Sequence, residues 1–354
     1  DISKITKTLK EKAPEWKDQY AEAAAESMDM RSGIVRTDTD WTVLSSLPLS
    51  EIISKAKSSR SRNIGEFIEY APFSGLCDDK PLIAISALKL EFKKGEFHTD
   101  LWETLLSRES RKQDKYRMKL LIAGRITQIP SSDFKSILLT ASRWLEDQGP
   151  DLRDKNPNMF NTVWSKFIET IRDHEKSSGS ALVRQENKET DWTGEAINSP
   201  SGNLAELHMT DPLKDNLKGG KGFPKAWLSR AEELLSLPND AHRYVMAIFA
   251  FNLTWFHYID PKWTEKVFLK LSEDKTSSQD DVRAIWAGFM WGARFPNSEL
   301  FIKLKPHLLE MAKSNISERR RHTEVLSGLL LSGWASKDDK KKRYISNDEL
   351  RSVL

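Results

Sequence analysis

A single cysteine, Cys77, occurs in 354 residues. That excludes an internal disulfide framework and fits a reducing compartment, the cytoplasm. Long hydrophobic runs are missing too. The stretch from Tyr244 to Ile259 is interrupted by Asn252, Thr254 and His257. A membrane-spanning helix needs about 18 to 20 mostly apolar residues, so none is expected. No secretory leader pattern is present within these residues.

Signatures of catalysis are equally sparse. The histidines (His98, His174, His208, His242, His257, His307 and His322) never fall at zinc-binding spacing from one another, and Cys77 stands apart from them. His257 reads as a satisfied core residue. No serine sits in a Gly-x-Ser-x-Gly elbow. Gly219-Gly220-Lys221-Gly222 is followed by Phe223-Pro224 rather than Ser or Thr, and no strand precedes it, so it reads as a surface loop and not a phosphate loop. No dinucleotide-binding glycine fingerprint occurs. The carboxylates lie mostly on solvated helix faces. The sequence therefore nominates no catalytic residue, no metal ligand and no cofactor, and the expectation is a segment that is not itself an enzyme.

Charge of one sign is scarce. The net charge is +3, and residues 315–354 carry nine Lys or Arg against six Asp or Glu, which accounts for the whole excess. A nucleic-acid-binding face shows a denser basic stripe. Two clusters remain as basic contacts for such a face: Arg319-Arg320-Arg321, and Lys340-Lys341-Lys342 with Arg343. A helical nucleic-acid-binding module using them is the alternative reading. A solvated helix cap and a charged loop are the plainer one.

What the chain does have is tryptophan, twelve residues of it, and helical periodicity. The pattern predicts an all-α fold. Its centre is Asp240 to Met311, where two helices look apolar on every face and so require burial on every face. Tyr244 to Phe256 runs into the break Asp260-Pro261 and a second helix from Trp263. Val282 to Trp291 runs into Pro296-Asn297-Ser298 and a helix from Leu300 to Met311. Trp255, Asp260, Trp263, Trp286 and Gly288 are the residues this plan makes structural. Ala284, Gly288 and Gly292 lie four apart and form a ridge of small residues that lets another helix approach.

The same plan recurs upstream, at 80–106 and 116–145. Leu101 to Phe134 spans 33 residues and Trp263 to Leu300 spans 37. Inner apolar helix, break and outer amphipathic helix together suggest an irregular helical-repeat, α-solenoid-like array of helix pairs. The expected organisation is an N-terminal helical segment over 1–75, a helical-repeat part over 76–173, a mobile polar linker over 174–195, and a C-terminal helical-repeat part over 196–354. Residues 1–30 read as charged helix, Ser58 to Asn63 as a loop and Ile64 to Tyr70 as a brief apolar helix. The first residue is Asp1, and the capping box Ser346-Asn347-Asp348-Glu349 opens a helix with few residues after it. Both suggest a segment of a longer protein.

The most distinctive loop is Asn198-Ser199-Pro200-Ser201-Gly202-Asn203. Ser199 before Pro200 reads as a helix cap with proline at the first helical position, and Asn203 with Glu206 offers a start one turn later. As a loop on a rigid scaffold it is also the candidate partner-contact site.

Three stretches together resemble a known family: Ala196 to Glu206, Ile259-Asp260-Pro261-Lys262-Trp263-Thr264, and Ile285-Trp286-Ala287-Gly288-Phe289. They are similar to the C-terminal helical region of large bacterial anti-phage defence proteins that carry an N-terminal sirtuin-like domain. The matches are spaced over residues 190–354, and Ile345 to Arg351 looks like the opening of a further helix of that region. The resemblance implies a parent that degrades NAD once phage is sensed. This segment would be its sensing, scaffolding or oligomerising part. Its partner would be a protein: a phage component, the parent's own neighbouring domains, or a second copy of itself. Nothing here matches a sirtuin-like catalytic site, so no catalytic residue follows from the resemblance.

Overall fold

The computed structural model describes residues 36–63, 67–174, 179–184, 186, 188–211, 213, 217–270, 278–292, 295–314, 320–338 and 340–353. The helix expected over 1–30 lies outside these residues, as does Arg319. The chain divides after Leu76 into two units.

The first unit holds a small sheet that the periodicity did not predict. Strands β1 (Arg36–Asp38), β2 (Ser61–Asn63) and β3 (Ile68–Tyr70) lie in the order β1-β3-β2. Arg36 pairs in parallel with Ile68, and Ser61 pairs antiparallel with Tyr70. The helix expected over 64–70 is therefore corrected at its described end, and the loop expected over 58–63 ends in a strand. A short apolar run such as Ile-Glu-Tyr carries no period long enough to tell helix from strand. Helices α1 (Thr42–Ser45) and α2 (Leu49–Ser59) also belong to this unit, with Leu44, Ile52, Ile53 and Ala56 buried.

The second unit is helical, apart from a lone bridge between Lys337 and Arg343 among its described residues. It follows α3 (Pro72–Asp79), which straddles the division. It runs through α4 (Pro81–Lys93), α5 (Thr99–Leu106), α6 (Arg108–Arg111), α7 (Tyr116–Ile126) and α8 (Ser131–Phe134). Next come α9 (Leu138–Lys155), α10 (Pro157–Asp173), α11 (Trp192–Ile197), α12 (Pro200–Met209) and α13 (Lys225–Leu235). Then α14 (Asn239–Ala250), α15 (Leu253–Ile259) and α16 (Pro261–Thr264) lead through a π-helical turn at Glu265–Leu269 to α17 (Gln279–Gly292). The unit ends with α18 (Ser298–Ser314), α19 (Arg320–Ala335) and α20 (Asn347–Arg351). The all-α class expected from sequence is thus what the chain adopts.

Local chemistry explains several boundaries. Asn156 Oδ1 accepts from Met159 N at 3.1 Å, with Pro157 at the first position of α10, whose inner face buries Phe160, Val163, Trp164, Phe167 and Ile171. Asp260 Oδ1 does the same for Trp263 N at 3.0 Å, ahead of Pro261. Ser346 and Glu349 form the expected reciprocal capping box. The helix expected to run unbroken over 244–256 is split. Phe251 and Asn252 form a turn in which Asn252 N donates to Phe249 O at 2.8 Å. Asparagine favours such turns because its side chain competes for backbone partners.

The core lies where the hub was expected. Every residue of α14 from Tyr244 to Ala250 is buried. α14 packs against α11, α12, α13 and α17, and α9 packs against α10 and α12. Phe223 stacks on Trp227 at 4.2 Å between ring centroids, and Phe256 and Trp263 meet both edge-on at 5.5–6.0 Å. Such rings bury large areas and favour these edge-on geometries.

The division into parts expected from sequence is corrected for the second half. Residues 77–354 form one unit, because in the upstream part α9 packs on α12 and α10 bonds to α13. Trp164 Nε1, for example, donates to Glu233 Oε2 at 2.7 Å. The stretch 174–195 thus links no separate bodies.

Candidate functional site

The nominated contact loop is not a surface loop. Ser199, Pro200, Ser201, Gly202 and Asn203 are all buried, and only Asn198 is partly exposed. Ser199 Oγ caps α12 by accepting from Gly202 N at 3.0 Å. Asn203 Nδ2 donates to Ser142 Oγ of α9 at 2.8 Å, and Asn198 Oδ1 accepts from Arg143 Nη2 at 3.1 Å. The capping signal was legible, but a cap can face inward as well as outward. Here α12 is wedged between α9 and α14, so its start is enclosed. These residues organise the interior, and the expectation that they meet a partner is corrected.

The basic clusters divide. Lys340, Lys341 and Lys342 are exposed on a tight turn whose backbone is pinned by Asp338, which accepts from Lys340 N and Lys342 N at 2.9 and 2.8 Å. Arg343 is used internally. It lies 4.2 Å from the Trp334 ring and donates to Trp334 O at 2.6 Å. Arg320 and Arg321 belong to α19, their side chains being outside the described residues.

The residues given structural roles take up inner positions. Trp263 and Trp286 are buried, and Trp255 is half-buried against Phe223. Gly288 faces Ala247 of α14. The Gly219–Gly222 loop closes the end of α15: Gly220 N donates to Tyr258 O at 2.9 Å and Gly222 N to Ile259 O at 3.0 Å. Those N–H groups satisfy helix-end carbonyls and are not presented to a phosphate.

Sequence reasoning missed a charged network that joins α11, α14 and α17. Glu195 is buried, and Arg184 Nε and Nη2 hold its carboxylate at 2.9 and 2.7 Å. Tyr244 Oη donates to Glu195 Oε2 at 2.8 Å. Arg184 Nη2 also reaches Asp240 at 2.8 Å. Arg243 bridges Asp240 and Asp281, each at 2.7 Å. Both guanidinium groups lie over the Trp192 ring, at 5.1 and 5.7 Å. Bidentate, fully partnered ion pairs of this kind fix geometry. Arg184 belongs to the stretch expected to be a mobile linker, and this anchorage corrects that expectation for it. Hydrogen bonding to Glu195 raises the Arg184 pKa, and burial followed by Glu195 raises that of Tyr244. The first keeps Arg184 charged, and the second keeps the Tyr244 hydroxyl protonated and able to donate.

A second carboxylate, Glu146 on α9, lies beside Glu206 of α12. Burial, and then the Glu206 charge, push Glu146 up to about 7, although Arg108 Nη2 lies 2.9 Å from Oε2. The folded chain therefore holds this proton more tightly than the unfolded chain. That stability is full at acid pH and is lost as pH rises from about 4.5 to 7, amounting to about 1–2 kcal/mol after solvent screening. Glu146→Gln is expected to raise the thermal midpoint at pH 8 by about 2–5 °C and by less at pH 4.5. Equal shifts at both pH values in a calorimetric scan would refute the assignment.

On the surface, Phe251 stands out. Its ring is 44% exposed yet fixed, 5.2 Å from the Trp291 ring of α17. It fits there because Gly292 has no side chain: a Cβ at that position would come within 2.2 Å of Phe251 Cε2. No described helix is long and apolar enough to cross a membrane. No protein-family model, no characterised protein and no solved structure matches the chain.

Proposed function

We propose that this chain is a non-catalytic helical scaffold or sensor segment of a bacterial anti-phage defence protein. It works in the cytoplasm and recognises protein, either a phage component, neighbouring domains of its parent or a second copy of itself. That recognition controls an NAD-degrading effector domain outside the segment. Its helices stack as α-solenoid-like pairs, which present long surfaces for such contacts.

The observation that carries the reading is the Phe251–Trp291 pair. An aromatic ring that is half in water and already held in place loses little freedom on binding, and Trp and aromatic anchors dominate protein interfaces. Two of the stretches that resemble the defence family pack on the helix that leads into it. Ala196–Glu206 and Ile285–Phe289 both lie against α14, the helix that ends at Phe251. They supply the frame and Phe251 supplies the contact.

The test is NAD consumption in phage-challenged cells carrying the full-length parent, compared with the same protein bearing Phe251→Asp. Because Phe251 is partly exposed, the variant is expected to fold and to lose at least about tenfold in NAD depletion, the effect of an interface residue worth about 1.4 kcal/mol or more. Depletion unchanged by the substitution would overturn the assigned contact. Absence of depletion in both would overturn the defence reading.

A further inference from the structure

Burial usually obliges a histidine to find hydrogen-bond partners, since an unsatisfied polar group in the interior costs about 1–3 kcal/mol. His257 of α15 does not comply. Its side chain is 1% exposed, and neither ring nitrogen has a hydrogen-bond partner. The expectation of a satisfied core histidine is therefore corrected. What Nε2 faces instead is a carboxylate, Glu265 Oε1, at 3.8 Å, beyond hydrogen-bond reach.

Glu265 opens the π-helical turn Glu265–Leu269. Such turns are rare and recur at functional sites. Glu299, in the first turn of α18, brings a second carboxylate. One donor atom from each of His257, Glu265 and Glu299 lies within 4.8 Å of the others. Two carboxylates at this separation need a cation, and Lys303 supplies one. It hydrogen-bonds Glu265 Oε1 and its Nζ lies 3.7 Å from Glu299 Oε1.

We propose that His257, Glu265 and Glu299 bind a divalent transition-metal ion of the zinc class, and that Lys303 neutralises the two carboxylates when the ion is absent. The donor set is one imidazole nitrogen and two carboxylate oxygens. Zinc accepts such a mixture, with three protein ligands and a fourth position left for water, whereas magnesium and calcium prefer oxygen alone. Tetrahedral zinc with bonds of about 2.0–2.2 Å sets its ligand atoms roughly 3.3 Å apart. The present spacings close to that by rotation of the two glutamates, which are half-buried and exposed. Lys303 is on a flexible stem and partly exposed, so it can swing out into water. Burial lowers the His257 pKa, with Glu299 and Glu265 opposing and Lys303 assisting, so the ring is neutral and its lone pair is available at neutral pH.

A second mixed cluster, Glu91, Glu96 and His98, is a weaker candidate. Lys94 Nζ already holds Glu91 Oε1 at 2.6 Å, and His98 is engaged in other interactions.

The inference is independent of the defence reading. It is tested by titrating the metal-stripped chain with Co²⁺, followed by its visible absorption, and then with Zn²⁺ by calorimetry. We expect one Co²⁺ per chain with the intense bands of a four-coordinate site, displaced by Zn²⁺. Lys303→Met is expected to tighten binding about tenfold by removing the competing cation. Glu299→Gln is expected to weaken it about 100-fold. His257→Ala is expected to abolish the bands. If His257→Ala disturbs folding, Glu299→Gln carries the test, because Glu299 is exposed. Binding that neither Glu299→Gln nor Lys303→Met alters would overturn the site. So would the absence of binding in both the natural chain and Lys303→Met.

Discussion

Replacing Gly288 with leucine is expected to prevent folding, or to cost more than about 4 kcal/mol, the range reached only by severe core disruption. The reason is backbone, not side chain. An ideal Cβ on Gly288 would lie 2.0 Å from Ala247 O, 2.7 Å from Ala247 C and 2.8 Å from Ala247 Cα. Nothing in that list is the flexible end of a side chain, so α14 itself must move. α14 is buried over Tyr244–Ala250 and is held by α11, α12, α13 and α17, so the displacement spreads through the core. Even Gly288→Ala is expected to cost about 1–3 kcal/mol, the usual penalty for overpacking. The control is Gly328→Ala on α19. That glycine is exposed and a Cβ there meets nothing within 4 Å. It is expected to stabilise by about 1 kcal/mol through helix propensity. Urea unfolding of the three variants checks the series, and a Gly288→Leu chain as stable as its parent would contradict the proposed packing.

Gly288 also shows why part of the fold was legible. Small residues four apart on an apolar helix give a periodic signal, and the physical demand behind it is local to one helix–helix contact. The Asp260-Pro261 start is legible for the same reason, since a cap is completed within three residues. What was not legible depends on distant chain. Ser199 to Asn203 carry a correct cap, but whether that cap faces water depends on α9 lying over it, through Ser142, 61 residues away. The Glu195 network draws on Arg184, Tyr244, Asp240, Arg243 and Asp281, none of which marks the others in sequence. His257 was read as an ordinary core residue because burial is visible in an apolar run and the lack of a partner is not. Its acidic neighbours come from the next turn of chain and from α18. The small sheet escaped because its strands, Arg36–Asp38, Ser61–Asn63 and Ile68–Tyr70, are three residues each and two of them are polar.

A second buried histidine makes the strongest prediction about pH. His208 of α12 is enclosed by aromatic rings: Trp227 at 4.4 Å, Phe249 at 6.0 Å and Trp164 at 6.5 Å. Neither ring nitrogen has a hydrogen-bond partner. Burial, then the charges of Arg230 and Arg153, push its pKa down to about 3. Both arginines reach Asp211 Oδ2, at 3.2 and 3.7 Å, so they are fixed beside the pocket. In the unfolded chain the same imidazole titrates near 6.5. The unfolded state therefore binds the proton more readily, and stability present above pH 6.5 is lost as pH falls toward 3. At pH 4 the loss from this one residue is about 3 kcal/mol. His208→Leu keeps an apolar body of similar size and removes the titration. It is expected to cost about 1 kcal/mol at pH 7 through lost ring contacts. At pH 4 the order reverses, and the variant is expected to be the more stable by about 2 kcal/mol. The comparison is made by urea unfolding at the two pH values. Glu146 changes stability with the opposite sign between about pH 4.5 and 7, so it is the difference between natural chain and variant, not the absolute curve, that isolates His208. A difference that stays constant between pH 7 and pH 4 would mean that the ring is reached by water or by a proton-accepting neighbour. The aromatic enclosure of His208 would then not be the environment that sets its charge.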